Sequence, residues 1–162
     1  MRVLTPSRKK LRAGDVFVYQ VRDGDYGFGR VIRLDARIGF FENAILIYIY
    51  NAFSSLVHDI PRLDCNHLLI PPACTNRQPW LRGYFQTVAH QELSRDEVLP
   101  VHCFADLLRP GSFFDDKGNQ LPSRFEPCGT FGLVSYRGID GEICQALGLG
   151  RPKGKPHNSH RA

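Results

Sequence analysis

The stretch Gly14–Asn51, GDVFVYQVRDGDYGFGRVIRLDARIGFFENAILIYIYN, decides how the whole chain is read. From Asp15 to Val21 the residues are mostly β-branched or aromatic, the composition that a pleated, half-buried surface favours. Asp23-Gly24-Asp25 follows, and a glycine inside an acidic triplet takes the positive φ of a tight reversal. The chain is therefore expected to return as a second strand over Tyr26–Leu34, with Tyr26, Phe28, Ile32 and Leu34 on one face. Gly27 and Gly29 share the opposite face. Glycine weakens a strand unless something approaches closely or the strand coils, so the pair predicts strong curvature of the kind a small barrel shows. Ala44–Tyr50, AILIYIY, has no polar alternation at all, which is how a strand covered on both faces reads, and it is the expected central strand.

Working outward, Met1–Arg12 holds Pro6 and a basic cluster, with only Val3, Leu4 and Leu11 to anchor it, and is expected to be a loosely held arm. Phe40 and Phe41 are expected to pack beneath the central strand. Leu68–Ile70 reads as a short edge strand stopped by Pro71-Pro72. Trp80–Ala89 alternates and is predicted as a strand; Val101–Leu108, a strand starting at Phe113-Phe114, and Thr130–Tyr136 follow. Asp115–Asn119 is a polar reversal between them. Ser94 and Glu97 have capping-box spacing, but Pro100 leaves room for one turn only. Ile139, Ile143 and Leu147 recur at four-residue steps with Gly148 just beyond, predicting a short amphipathic helix. The expected fold is thus mainly β: an antiparallel, strongly coiled sheet or SH3-like barrel with a short C-terminal helix. One domain over residues 13–150 lies between the basic arm (1–12) and a basic, disordered tail (151–162).

The motifs GDVF, DGDYGFGRV and ILIYIYN together resemble the immunity protein 26 family of bacterial polymorphic toxin systems. PPACTNRQPWLRGYFQTV and GTFGLVSYRGID, further along, are similar to a subset of that family, so that the resemblance spans Lys10–Gly148. It implies a non-enzymatic protein that protects its producer by binding a cognate toxin.

Composition sets the bounds around that expectation. A chain of 162 residues with 43% hydrophobic and 11% aromatic residues can bury a real core, so neither disorder nor a disulfide-stapled scaffold is expected. Its five cysteines, at irregular spacings behind an N-terminus without signal character, point to the reducing cytosol. Apolar runs fall far short of the ~20 residues of a membrane helix, so no membrane association is expected. The net charge is +5, but residues 1–12 carry five basic groups and residues 151–162 carry four, with no acid in either segment. Removing those nine from 21 leaves 12 bases against 16 acids, a net −4 for residues 13–150. On that count the fold is acidic, which argues against nucleic acid and for a basic partner such as a nuclease-type toxin.

No chemistry-bearing motif is evident. Cys65/His67 and His102/Cys103 contain zinc-type ligands without zinc spacing, and buried thiols with polar histidines are the simpler reading; no metal or cofactor is expected. The sequence has no GxSxG and no HExxH. Gly27-Phe28-Gly29-Arg30 lacks the spacing of a phosphate loop. Candidate partner-binding residues are Asp23, Asp25, Asp115 and Asp116, on predicted turns, together with Trp80 and Tyr84. A monomer inhibiting by direct occlusion is expected. The alternatives are an SH3-like nucleic-acid-binding protein that uses its basic termini, and a small hydrolase.

Overall fold

In the computed structural model, which describes residues 1–150, β1 (Asp15–Arg22) and β2 (Asp25–Ile38) form the hairpin that the Asp-Gly-Asp turn requires, with Gly24 at φ 78°. β3 (Phe41–Ser54) returns antiparallel to β2, and both are 14 residues long. β4 (Ala73–Thr75) pairs with β3 at one edge and β5 (Gln86–His90) with β1 at the other, giving the order β4-β3-β2-β1-β5. Of the two expected forms, the mainly antiparallel, coiled sheet is the one found; it stays open and does not close into a barrel. β2 lies in the middle of this open sheet, and β3, the expected central strand, lies one place from the edge. Curvature comes from register shifts along β2–β3 between Gly27/Gly29, Val31/Arg33, Arg33/Ala36 and Ala36/Ile38, since each bulge bends a strand and increases its twist.

A second, four-stranded sheet is built from β6 (Cys103–Ala105), β7 (Phe113–Phe114), β8 (Gln120–Leu121) and β9 (Cys128–Thr130), in the order β8-β7-β6-β9 with β6 and β9 parallel. Helix α1 is a single turn, Gln78–Leu81, and α2 spans Tyr136–Ala146, where Ser135 Oγ accepts from the Gly138 N–H at 3.1 Å as its N-cap.

Ala44–Tyr50 is buried throughout, and its alternation was hidden because both faces are apolar. Ile45, Ile47 and Ile49 join Phe17, Tyr19, Val31, Trp80 and Phe85 beneath α2, whose Ile139 and Ile143 close that core. Leu46, Tyr48 and Tyr50 face the other way, into Ile32, Ile38 and Phe104. The bulge after Val31 moves Leu34 onto the Val31 side, away from Ile32, against the simple alternation expected of β2. Gly27 and Gly29 are required by close approach. They pair with Tyr19 and Phe17, and a Cβ at either position would overlap the ring opposite; at Gly29 it would also lie 2.8 Å from the Tyr48 carbonyl oxygen.

Several local expectations are overturned. Trp80–Ala89 is not one strand: Pro79, in the first turn of α1, favours the helix there, Gly83 at φ 78° turns the chain, and only Gln86 onward pairs. The edge strand expected at Leu68–Ile70 reduces to one bridge, Leu68 to Tyr50, while β4 begins after the prolines at Ala73. The last strand ends at Thr130, and Tyr136 belongs to α2. Phe40 is 96% exposed at the β2–β3 turn, so it packs under nothing. The N-terminal arm is not loose. The Arg2 N–H donates to the Gln20 carbonyl at 2.7 Å, Leu4 N–H to Gly83 at 2.7 Å and Ser7 N–H to Trp80 at 2.9 Å, while Met1 pairs its amino group with Asp140. The expectation for residues 151–162 lies outside the described residues.

Candidate partner-binding surfaces

The six residues singled out from sequence are not brought together, and they fall into three environments. Asp23 is exposed at the β1–β2 turn and pairs with Arg2; Asp25 opens β2 half-buried. Asp115 is half-buried and closes its own turn, accepting from the Lys117 and Asn119 N–H groups at 2.9 and 2.8 Å. That is the turn-forming use of aspartate. Asp116 is only 7% exposed. Its Oδ1 accepts from His102 Nδ1 at 3.0 Å and its Oδ2 from Arg33 at 2.6 Å. Burial pushes its carboxyl up, but His102 and Arg33 outweigh that and hold it at about 2. Trp80 is 1% exposed, wedged edge-on against Phe17 and Phe85 at 5.2 and 5.1 Å. Asp116 and Trp80 therefore offer no surface to a partner. Tyr84 does: it is half-buried and stacks on Tyr136 at 4.8 Å with the planes 13° apart.

Sequence reasoning missed the polar chain that passes through Asp116. With Nδ1 of His102 committed to the carboxylate, Nε2 accepts from the Tyr48 hydroxyl at 2.6 Å, and the Tyr48 oxygen accepts from the Leu99 N–H at 3.0 Å. Tyr48, His102 and Asp116 have the connectivity of a hydroxyl–imidazole–carboxylate relay. All three are buried, at 0%, 5% and 7% exposure, and burial raises the Tyr48 pKa, so the hydroxyl keeps its proton and no substrate reaches it. The arrangement fastens the second sheet to the first. No sequence signal joins Tyr48 to positions 102 and 116, because they lie far apart in the chain and meet only where the two sheets pack.

Arg30 is a second buried polar group that the sequence did not reveal. It is 0% exposed on β2, and its guanidinium donates to the Gln91 and Glu92 carbonyls at 2.6 and 2.9 Å and to Glu97 at 3.0 Å. Glu97 also accepts from the Ser94 N–H at 2.9 Å, the reciprocal half of a capping box around the 3-10 turn Arg95–Glu97. Gly29 leaves the phosphate-loop reading no role: it makes room for Phe17, as β2 runs on without a following helix.

The cysteines are buried free thiols. Burial pushes Cys74 and Cys128 up to about 12, and raises Cys65 and Cys144, so these are poor nucleophiles. Cys65 and His67 do not converge: the Cys65 thiol donates to the Asp96 carbonyl at 3.5 Å, while His67 sits against Asp64. No group of three or more metal-ligating side chains occurs among the described residues. A shallow groove of about 170 Å³ runs along the β3–β4 edge, lined by Glu42, Asn43, Thr75, Asn76, Arg77 and Leu133. No helix among the described residues is long and apolar enough to cross a membrane.

No curated protein and no solved structure matches the chain. The family model of immunity protein 26 matches residues 12–113, the five-stranded sheet and the start of the second. That match covers more than half of the chain, and with the GDVF, DGDYGFGRV and ILIYIYN strands in one sheet the chain belongs to the immunity protein 26 family.

Proposed function

We propose that this chain protects the bacterium that makes it by binding a cognate toxin domain stoichiometrically, covering its active site or a surface the toxin needs. The observation that carries this reading is the family match over residues 12–113. The fold suits an inhibitor, because a sheet with two apolar cores holds its turns and helices rigidly, which lowers the ordering cost of forming a complex. We place the complex in the cytosol, in a polymorphic toxin system of interbacterial competition.

The charge that pointed to a basic nuclease-type toxin is different in the folded chain. Because the arm is part of the fold, the described residues carry 17 basic groups (21 less the four beyond Gly150) against 16 acids, a net +1. Overall charge therefore selects no partner, and the distribution of charge over the surface matters instead.

Co-expression with the toxin domain encoded beside this gene tests the proposal. Restored growth and a 1:1 complex by size-exclusion chromatography are expected. Undiminished killing, with no complex, overturns the reading.

A further inference from the structure

Three separate segments of this chain lack carboxylates: residues 1–12, residues 65–91 and residues 127–139. The fold lays parts of all three side by side. Leu4 and Ser7 donate their N–H groups to the Gly83 and Trp80 carbonyls, and Arg77 donates to the Arg8 and Lys9 carbonyls at 2.9 and 2.8 Å. Gly83 is held at positive φ against Pro6, 2.8 Å from where a Cβ would stand, so the arm lies directly on this turn. Tyr84 stacks on Tyr136, and the guanidiniums of Arg82 and Arg137 lie over the Tyr136 ring, 5.3 and 5.9 Å from its centroid.

The result is one continuous face carrying exposed Arg8, Lys9, Arg77, Arg82 and Arg137 around a tyrosine pair. None of these five cations is paired with a carboxylate among the described residues, although most other arginines of the fold are. The nearest acid in sequence, Asp140, is taken by the Met1 amino group. Unpaired cations crowded together raise the local potential and repel one another, a cost that is relieved when an anionic surface arrives.

We infer that this face is the docking surface for an acidic protein surface on the toxin domain, a conclusion that rests on the immunity reading above. Arginine and tyrosine are the residues that dominate binding energy at protein interfaces, where a guanidinium on a ring keeps its N–H edge available for a carboxylate. Single-stranded nucleic acid fits less well. Its bases need free aromatic platforms interleaved with cations, whereas the Tyr136 ring is already engaged by Tyr84 and two arginines. Arg8, Lys9, Tyr136 and Arg137 lie outside the residues the family model matches, and Arg77, Arg82 and Tyr84 lie within it. The docking surface thus joins the family's sheet to segments beyond the matched core.

The test compares wild type with an Arg8→Glu/Lys9→Glu/Arg82→Glu/Arg137→Glu variant, all exposed positions, after circular dichroism and melting show the variant folded. A milder quadruple Gln variant replaces it if it is not. The probes are the cognate toxin domain, poly-L-glutamate and a 20-nucleotide single strand, each across a salt series. Toxin association at least tenfold slower in the variant at low salt, with a flatter salt dependence and loss of poly-L-glutamate binding, is the expected result. An unchanged toxin rate overturns the docking surface and leaves the immunity reading standing. Poly-L-glutamate binding that depends on the four cations, in a protein that binds no toxin, overturns the immunity reading and keeps an acid-binding face. A single strand bound as tightly as the toxin and competing with it makes the face a nucleic-acid site and overturns the proposal.

Discussion

His102 donates its Nδ1 proton to Asp116 at 3.0 Å inside a contact that joins the two sheets, so a carboxylate that the sequence places on a turn is a structural anchor. Asp116 is depressed from 3.8 to about 2. A carboxyl whose folded pKa lies below its unfolded value adds stability above the unfolded pKa and loses it as pH falls through the folded one. The contribution of Asp116, about 2 kcal/mol, is therefore complete above pH ~4 and fades toward pH ~2. Asp116→Asn should lower the urea midpoint at pH 7, and the gap to wild type should shrink as pH approaches 2. A gap that stays constant with pH would show that the Asp116 charge is not what stabilises the contact.

Arg30 is expected to be among the costliest side chains to truncate. Arg30→Ala removes a buried stem and strips the Gln91 and Glu92 carbonyls of their donor, for a loss of about 3–5 kcal/mol. Arg30→Met keeps the stem, and because Glu97 retains the Ser94 N–H and some solvent, it should cost less. Chemical denaturation of the two variants ranks them, and equal losses would mean that packing of the stem contributes nothing.

Gly29 should not tolerate a methyl group. Gly29→Ala drives a Cβ into the Phe17 ring and the Tyr48 carbonyl, with an expected loss of about 1–3 kcal/mol. Adding Phe17→Leu to that variant should recover part of it, since the ring is the group in the way. A double variant no more stable than Gly29→Ala would place the cost in the backbone.

Ile47, at 0% exposure on β3 in the core beneath α2, should not accept charge. Ile47→Asp buries a carboxylate without a partner and should cost several kcal/mol, comparable to the whole stability of a small domain. Soluble, cooperatively melting Ile47→Asp protein would contradict the core assignment.

The thiols give a further check. All five cysteines are buried, so the native protein should react slowly with an aromatic disulfide reagent and yield five thiols after denaturation. Purified protein should hold well under one equivalent of zinc by mass spectrometry. A chelator-sensitive melting temperature would instead show that ligands do converge.

What this sequence settled by itself was local. The β1–β2 hairpin follows from Asp23-Gly24-Asp25, burial of Ala44–Tyr50 from its unbroken apolar run, and α2 from the spacing of Ile139 and Ile143, because each depends on residues close in the chain. Family membership was legible for the same reason, as its motifs are contiguous strands. Tertiary structure decided everything that depends on long-range pairing. Bulges bend and twist β2–β3, and Tyr48 of the first sheet meets His102 beside the second; alternation of side chains encodes neither. Polarity and alternation within one segment make Asp116 and Trp80 read as surface groups; the contact between the sheets buries the first, and Phe17 and Phe85 cover the second. The same docking reversed the reading of charge. Counted along the chain, the arm's cations stood apart from an acidic fold; packed on Trp80–Gly83, they form one face with Arg82 and Arg137, because electrostatic potential sums over distance in space and not over position in sequence.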